Sequence, residues 1–321
     1  MQRQLPKGYL ARPATLDDLD GVVELMESLD RSFGFDPDPV REEISWLWNL
    51  PSTDLGADTR LVVRKDEVVG YAEAIRVHPE HEGPFGVYGR VHPKHRGLGI
   101  GTWLAAWMEE RARDRASNGI RTFVIDRDEA GRSLLESRGY VEVRSFFTMC
   151  RPLAEREEEG LPTPGLTVRP FRDVEEDRVL HDLFEGSFAD HWEHEPTPFE
   201  GWNEALRSGD DWDPSLVWIA EAEGTPAGFL VGFLFERCGF VGILGVLREF
   251  RGRGIATALL RRSFKDFARR GRSEVRLTVD AQNTTGAVGL YERVGMHVCR
   301  RYDAFDLGTE EATKIAAGST A

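Results

Sequence analysis

The sequence contains one short stretch twice: RGLGIGT at residues 96–102 and RGRGIAT at residues 251–257. In each copy a short predicted strand leads into this stretch, and a helix-forming run follows the glycines. A strand that turns into a helix through glycines lets the backbone approach a ligand. It also leaves unpaired N–H groups and a partial positive charge at the helix start. Both stretches therefore predict a site for an anion such as a pyrophosphate. A glycine-rich corner without a ligand is the alternative.

Other landmarks recur in the same order with nearly the same offset. Arg12-Pro13 matches Arg169-Pro170, VVGYAEAIRV (68–77) matches PAGFLVGFLF (226–235), and LLESRGY (134–140) matches LYERVGM (290–296). Four landmarks at a near-constant offset indicate two copies of one unit of about 150 residues. The predicted organisation is a domain over 1–151, a charged linker over 152–165, a second domain over 166–308 and a tail over 309–321, expected to be frayed.

Each copy has the same order of predicted elements. A short strand comes first, helical stretches and two paired strands follow, and the glycine stretch leads into the main helix. In the second copy, Leu260, Phe264 and Phe267 mark the buried face of that helix. A further strand and a short helix come after it. Because several strands precede the main helix, the sequence predicts an α+β fold. Each copy should have a mixed, mostly antiparallel sheet flanked by helices.

Composition excludes several classes of protein. The chain has 321 residues, of which 40% are hydrophobic and 30% charged, with a formal net charge of −14. It can bury a core, so it is not a disordered chain, and no apolar run is long enough to span a bilayer. Its acidic balance disfavours a nucleic-acid partner. The three cysteines are widely spaced and no apolar leader opens the sequence, so we expect a reducing, cytoplasmic location.

Two other glycine-loop chemistries do not fit. A Walker loop needs Gly-Lys-Ser/Thr, which neither copy has. A dinucleotide fingerprint needs GxGxxG after the first strand of a βαβ unit, whereas here the turn comes late in each copy. The pattern Arg-x-x-Gly-x-Gly/Ala at a strand-to-helix turn instead resembles the coenzyme A loop of the GNAT superfamily of N-acetyltransferases. Arg96, Gly99 and Gly101 fit it, and so do Arg251, Gly254 and Ala256.

The resemblance extends beyond the loop. VHPKH (91–95) and VLREF (246–250) fit the usual lead-in, and VDAQNTTGAVGLYERVGM (279–296) is similar to the last motif of the superfamily. Among tandem members, the layout is similar to the mycothiol synthase-like proteins. The resemblance implies two tandem GNAT domains and acetyl-CoA as the acyl donor, with no metal. It also implies direct attack of a small-molecule primary amine on the thioester. From the whole sequence we expect a monomer or homodimer with no membrane or nucleic-acid partner.

The resemblance also implies which residues bind coenzyme A (CoA). In the second copy they are Val246, Leu247, Arg251, Gly252, Arg253, Gly254, Ile255, Ala256, Thr257 and Asn283. In the first copy they are Val91, Arg96, Gly97, Leu98, Gly99, Ile100, Gly101 and Thr102. For Asn283 a plain N-cap of the following helix is an alternative that does not exclude CoA binding.

The family chemistry needs an oxyanion donor and a proton donor. A backbone N–H near Val246 would stabilise the developing oxyanion. Tyr291 matches the position of the acid that protonates the leaving thiolate. A phenol with a pKa of about 10 can protonate a thiolate whose conjugate acid has a pKa of about 8.5. Because Ala287, Leu290, Tyr291 and Val294 share one helix face, a core aromatic is the alternative for Tyr291.

The general base stays open at the level of sequence. The strand before the loop, FVGILGV at 240–246, has no acidic residue. Two acidic residues and a histidine-rich stretch remain as candidates: Asp280, Glu236, His191, Glu193, His194 and Glu195. The pair His191-x-x-His194 lacks a third ligand in its pattern, so no metal is expected.

The two copies are predicted to differ in function. Aligning them on the glycines 139 and 295 places Leu135 against Tyr291, and the first copy has no counterpart of Asn283. A leucine has no proton to give, so the chemistry is predicted in the second copy, and the first is expected to be non-catalytic. Two other functions remain possible: a non-catalytic acyl-CoA-binding sensor or scaffold, and an acetyltransferase acting on a protein N-terminus or lysine.

Overall fold

The computed structural model describes residues 4–38, 40–50, 52–75, 83–115, 118–157, 164–189, 191–192, 194–207 and 212–317. It divides into two compact units. The first unit combines residues 1–145 with 301–321, and the second unit comprises residues 146–300. Among the helices of these described ranges, none has both the length and the apolar composition needed to cross a membrane.

The first half of the chain supplies seven strands and five helices within the described residues. In chain order they are β1 (Leu10–Arg12), α1 (Leu19–Ser32), α2 (Arg41–Asn49), α3 (Leu55–Asp58), β2 (Thr59–Arg64), β3 (Glu67–Glu73), β4 (Phe85–Gly86), β5 (Tyr88–Val91), α4 (Ile100–Asp114), β6 (Ile120–Ile125), α5 (Glu129–Ser137) and β7 (Val141–Pro152). Strands β1, β2, β3 and β5 pair antiparallel in that order, and β4 pairs parallel to β6.

The second half repeats this arrangement. Its elements are β8 (Leu166–Pro170), α6 (Asp177–Phe188), α7 (Phe199–Arg207), β9 (Val217–Ala222), β10 (Thr225–Leu234), β11 (Cys238–Val246), α8 (Ile255–Arg269), β12 (Glu274–Asp280), α9 (Ala287–Arg293), β13 (His297–Leu307) and α10 (Glu310–Ala316). Strands β8 to β11 pair antiparallel in chain order, and β12 adds to β11 in parallel. The second unit therefore has the predicted mixed, mostly antiparallel sheet. In the first unit β1, β2, β3 and β5 form a purely antiparallel sheet, and the parallel pair of β4 and β6 is not part of it.

The last strand of each unit comes from the other half of the chain. In the second unit, β12 pairs antiparallel with the segment Phe146–Pro152 of β7. In the first unit, β6 pairs antiparallel with the segment Tyr302–Leu307 of β13. The expected domains, 1–151 and 166–308, follow chain order, whereas the compact units interleave. The alternation of residues along a strand identifies the strand but does not identify its partner.

Helix α8 covers one face of the second sheet as its sequence pattern predicts. The side chains of Leu260, Phe264 and Phe267 are fully buried in the core of that unit. A Cβ atom added at Gly239 would come within 2.3 Å of the Phe267 ring, so the sheet has no room for a side chain there. This close contact fixes α8 against β11, and so fixes the position of the loop that precedes the helix.

The segment after Leu307 is not frayed throughout, contrary to expectation. It contains α10, whose N-cap Thr309 is buried and accepts a hydrogen bond from the Ala312 N–H at 3.1 Å. The Thr309 hydroxyl also donates to Asp306 at 3.0 Å. These bonds, with two acidic residues in the first helical turn, stabilise a helix that has only seven residues.

Candidate active site

A cleft opens in the second unit where two parallel strands separate. Strands β11 and β12 are paired only from Cys238 to Val241, opposite Glu274 to Leu277. At the end of this pairing the register with β10 shifts, so that Gly242 is an extra residue, a β-bulge. A Cβ atom at Gly242 would lie 2.3 Å from the Phe233 ring, which explains the glycine. Beyond the bulge the strands diverge and leave both edges accessible.

A cavity of about 680 Å³ occupies this cleft and continues to the starts of α8 and α9. That volume lies within the usual range for small-molecule sites. Many of the residues predicted from the sequence line it: Val246, Arg251, Gly252, Gly254, Ile255, Ala256, Thr257, Asp280, Asn283 and Tyr291. The fold thus brings together the glycine loop, the strand before it and the last motif.

The start of α8 is the part of the cavity suited to an anion. Gly252 and Gly254 have φ angles of +79° and +81°, in the left-handed region, and a Cβ added to either would meet nothing within 4 Å. The glycines therefore serve the backbone conformation and open space, not packing. Since the Ala258 N–H makes a helical bond with the Gly254 carbonyl, the three preceding N–H groups have no acceptor within the helix. They are free to bind a phosphate.

The backbone at Val246 presents its N–H to the cleft. The next residue, Leu247, donates its N–H to the Ala227 carbonyl of the neighbouring chain segment at 3.0 Å. Hydrogen-bonded and non-hydrogen-bonded pairs alternate in an antiparallel ladder, so the pair of Val246 with Gly228 is a non-hydrogen-bonded one. The Val246 N–H consequently points away from β10, toward the side from which β12 has diverged. This geometry suits an oxyanion donor.

Arg251 holds the walls of the cleft together. Its guanidinium donates to the carbonyl oxygen of Val246 at 3.2 Å and to that of Ser187, near the end of α6, at 3.0 Å. The side chain therefore connects the end of β11 with α6. Sequence reasoning assigned it only to CoA binding, since a bond between a side chain and two distant carbonyls leaves no sequence pattern.

Tyr291 lies in α9, with its side chain only 8% exposed, and contributes both to the cavity wall and to the hydrophobic core. The two interpretations of this residue are therefore compatible. Burial raises the pKa of the phenol to about 12, because the charged phenolate is poorly solvated there. The hydroxyl is consequently a hydrogen-bond donor throughout the neutral range.

Asn283 is not the N-cap of α9, as the alternative interpretation proposed. That position belongs to Gly286, whose φ is +77°. The side-chain oxygen of Asn283 accepts bonds from the N–H and the hydroxyl of Thr285, at 2.8 and 2.5 Å, which fixes the turn before the helix. Both bonds use the side-chain oxygen, so they do not occupy the amide N–H groups of Asn283. Nearby, Asp280 accepts the Gln282 N–H at 2.8 Å.

The candidates for the general base occupy different places. Asp280 and His191 line the cavity, and the His191 ring packs on Phe188 with centroids 4.4 Å apart. Glu236 is exposed in the turn between β10 and β11, at the end of β11 opposite Val246, and does not line the cavity. His194 bonds to Glu185 at 3.1 Å. Three further predicted residues do not line the cavity: Glu195, Leu247 and Arg253. Glu193 is not among the residues that the structure describes.

One cavity residue that the sequence gave no reason to select is Ser187. It is 4% exposed, and in the described part of the chain its hydroxyl has no hydrogen-bond partner. A Cβ atom at Gly245 would come within 2.8 Å of the Ser187 Cβ, so the glycine lets α6 approach β11 closely. An unsatisfied buried hydroxyl beside the Val246 backbone is unusual and suits a ligand contact.

The first unit contains a similar cavity of about 490 Å³. Predicted residues that line it are Val91, Arg96, Gly97, Gly99, Gly101 and Thr102. The φ angles of Gly97 and Gly99, +75° and +85°, match those of the second loop. Leu98 is exposed and Ile100 is buried in the core, and neither lines the cavity. Leu135, the counterpart of Tyr291, does line it.

One group of described residues has the chemistry of a metal site: Glu67, His92 and His95 in the first unit, whose ligand atoms lie within 4.8 Å of one another. The imidazoles already have partners. His95 Nδ1 lies 2.8 Å from the Tyr9 hydroxyl, and His92 Nδ1 accepts the Lys94 N–H at 3.2 Å. In the second unit, His191 and His194 turn to different neighbours. That the protein needs no metal stays a prediction.

Comparison with known sequences finds relatives along most of the chain. The sequence profile described as the acetyltransferase (GNAT) family matches residues 22–140 and 178–296. A mycothiol acetyltransferase of Kineococcus radiotolerans is 33% identical over 300 residues, which cover 90% of this chain and 94% of the relative. A mycothiol acetyltransferase of Thermobispora bispora is 29% identical over 297 residues, which cover 88% and 93%.

Solved structures agree with these matches. The crystal structure of a GCN5-related N-acetyltransferase from Sphaerobacter thermophilus is similar with a TM-score of 0.81 and 33% sequence identity, over 95% of this chain and 96% of that one. A tandem GNAT protein from the clavulanic acid biosynthesis pathway gives a TM-score of 0.70 at 15% identity, over 93% and 98% of the two chains, a likeness of fold alone. The predicted tandem α+β fold is thereby confirmed.

Proposed function

Because this chain belongs to the acetyltransferase (GNAT) family and is an N-acetyltransferase, we propose that it moves the acetyl group of acetyl-CoA to the amine of a small molecule in the cavity of its second unit. One observation supports this most. A single cavity joins the start of α8, the inward-facing Val246 N–H and the Tyr291 side chain. An anion site, an oxyanion donor and a proton donor are what acetyl transfer from a phosphate-bearing thioester requires.

The residues at the two ends of the cavity have different roles, one in binding CoA and the other in stabilising the reacting carbonyl. The N–H groups of Ile255, Ala256 and Thr257 bind the pyrophosphate of CoA, and the separated edges of β11 and β12 leave room for its extended arm. Acetyl-CoA supplies an acetyl group activated as a thioester. When the amine attacks the thioester carbonyl, the Val246 N–H binds the oxygen on which negative charge develops.

Proton movements complete the reaction. The C–N bond forms, the C–S bond breaks, and the sulfur leaves with its electron pair. Tyr291 donates its hydroxyl hydrogen to that sulfur. Because the pKa of the phenol, about 12, exceeds that of a thiol, about 8.5, full transfer requires that the phenolate regain a proton at once from water. The amine proton goes to Asp280 or His191, the two candidate bases that line the cavity.

The first unit is assigned a supporting role. Leu135 stands where the second unit has its phenol, so a CoA thiolate bound there would lack that proton donor. The first loop still keeps two glycines in the left-handed conformation. We therefore assign to the first unit a CoA site, or the remnant of one, without chemistry of its own.

The names of the relatives bear on the acceptor. Proteins called mycothiol acetyltransferases are 26–33% identical to this chain over most of its length. A small polar amine, such as a cysteinyl pseudodisaccharide, is therefore the first acceptor to test. A sensor that binds acyl-CoA without turnover, or an enzyme acting on protein amines, remains the competing function.

The test is a measurement of CoA release from acetyl-CoA, corrected for hydrolysis, against cysteinyl pseudodisaccharides, amino acids, polyamines, aminoglycosides and a lysine-containing peptide. We expect turnover with a small amine and none after Gly254→Glu, which places a side chain and a negative charge in the phosphate site. Tight acetyl-CoA binding with no turnover for any amine would favour the sensor. Turnover with the peptide alone would favour protein acetylation.

A further inference from the structure

A second cavity of the second unit, of about 330 Å³, is surrounded by arginines. Its lining includes four guanidinium groups, from Arg151, Arg156, Arg261 and Arg293. Among the described residues that line it, Glu157 alone carries a carboxylate. In a chain with 55 acidic and 41 basic residues, such a local excess of positive charge is unexpected. We call this cavity the arginine pocket.

Most of this charge has no acidic partner in the part of the chain that the structure describes. Arg151 forms an ion pair with Glu157 at 2.8 Å, and its guanidinium stacks 5.0 Å from the centre of the Phe264 ring. Within the described residues, no ion pair or hydrogen bond engages the side chains of Arg156, Arg261 and Arg293. Three unpaired guanidinium groups around one cavity form a site for a doubly charged anion, since each offers several N–H donors to phosphate oxygens.

The arginine pocket adjoins the candidate active site. Arg293, in α9, lines both cavities. Arg261 lies four residues after Thr257 in α8, one helical turn or about 6 Å farther along the helix from the proposed pyrophosphate site. An anion in the arginine pocket would therefore belong to a ligand that already places a phosphate at the start of α8.

CoA has a second phosphate of this kind. Its ribose carries a phosphomonoester, close in the molecule to the pyrophosphate and with nearly two negative charges at neutral pH. We infer that the arginine pocket binds this ribose phosphate, and that it makes the second unit selective for CoA over donors without that group. The inference rests on the proposed use of acetyl-CoA and identifies the residues that select it.

The test compares CoA with 3′-dephospho-CoA by titration calorimetry, with Gly254→Glu used to identify the second-unit site. We expect the wild-type protein to bind CoA about tenfold more tightly than 3′-dephospho-CoA, as suits charge-assisted hydrogen bonds in a partly exposed pocket. Arg261→Gln should reduce this ratio to about two, leaving the affinity for 3′-dephospho-CoA unchanged. The preference should also decrease as salt concentration rises.

A neighbouring arginine provides the matched control. Arg262 lies next to Arg261 in α8, pairs with Asp266 at 2.8 Å and does not line the pocket. Arg262→Gln removes the same charge from the same helix and should keep the tenfold ratio. Equal wild-type affinity for the two ligands, or equal effects of the two substitutions, would overturn the inference while leaving acetyl-CoA as donor. Failure to bind CoA at all would overturn the proposed function and this inference together.

Discussion

In the first unit, the guanidinium of Arg96 lies 3.1 Å from the carboxylate of Asp128. Arg96 opens the glycine loop before α4, and Asp128 is the N-cap of α5, so the pair joins two walls of the first cavity. The corresponding arginine of the second unit, Arg251, binds backbone carbonyls instead. The loop arginines of the two cavities therefore differ in the partners they hold, although their loops have the same backbone conformation.

This ion pair predicts how CoA binding in the first unit can be strengthened. Asp128→Asn would remove a negative charge that lines the cavity and release Arg96, while an asparagine can still cap α5. We expect about a tenfold gain in CoA affinity at the first unit, measured by calorimetry in a Gly254→Glu background. Unchanged affinity would mean that the ion pair does not limit binding there.

The division of function between the units predicts unequal effects of equivalent substitutions. Gly99→Glu and Gly254→Glu place the same side chain in the same left-handed position, where an added Cβ atom meets no neighbouring atom within 4 Å. Initial rates should fall by at least a hundredfold for Gly254→Glu and by less than threefold for Gly99→Glu. Circular dichroism would check that both variants fold. Equal loss from both would contradict a single active unit.

The role of Tyr291 predicts a loss of turnover without a loss of binding. Tyr291→Phe keeps the buried ring and removes only the hydroxyl. We expect kcat to fall by roughly 10²–10⁴ fold with little change in the Kd for CoA. Leu290→Met, at a neighbouring cavity position, is a matched control for altered packing. A Tyr291→Phe enzyme with nearly normal kcat would leave the phenol with a packing role alone.

The raised pKa of Tyr291 predicts the alkaline behaviour of the enzyme. A phenol with a pKa of about 12 keeps its proton as pH rises from 7 to 10, so its ionisation cannot reduce kcat in that interval. Between these values the kcat profiles of wild type and Tyr291→Phe should be parallel. A fall in the wild-type profile near pH 9 that the variant lacks would indicate a much more acidic phenol.

A buried carboxyl in the first unit predicts a pH-dependent stability. Glu73 is 6% exposed and accepts a hydrogen bond from the Tyr71 hydroxyl, and burial raises its pKa from 4.5 to about 7. Above pH 4.5 the unfolded chain ionises Glu73 while the folded protein keeps the proton, so stability falls as pH rises toward 7.

Glu73→Gln removes this titration while keeping an acceptor for Tyr71. At pH 8 the variant should be more stable than wild type by about 2–3 kcal/mol, whereas at pH 4 the two should be alike. Thermal unfolding followed at a series of pH values measures the difference. Curves that stay parallel from pH 4 to pH 8 would contradict a protonated Glu73.

The sequence predicted the cavity residues that belong to local motifs better than the contacts between distant elements. The glycine loop, Val246, Asp280, Asn283 and Tyr291 come together because they belong to local motifs whose backbone conformations are set by nearby residues. The contact of Arg251 with Ser187 depends on how α6 approaches β11, over a separation of 64 residues. No local sequence pattern can indicate a contact over that separation. The bridging role of Arg251 and the buried hydroxyl of Ser187 could therefore be identified only from the fold.

Helix α10 shows a different reason for a missed element. Thr309 followed by Glu310 and Glu311 is a recognisable helix start, because a threonine caps and acidic residues favour the N-terminus. The composition of the last residues, rich in alanine and threonine, obscured that signal. The hydrogen bond from the Thr309 hydroxyl to Asp306 anchors the helix to β13.

The exchange of β7 and β13 sets an order of events during synthesis. When the first 145 residues have left the ribosome, β6 still lacks the neighbour formed by Tyr302–Leu307, which is translated almost last. Until then one edge of β6 is open to pairing with other nascent chains. In many multidomain proteins the N-terminal domain completes its fold before the next domain emerges from the ribosome. The first unit of this protein cannot do so, because its last strand is translated near the end. Separate expression of either half should yield a sheet without its final strand, and the two halves supplied together should complete each other.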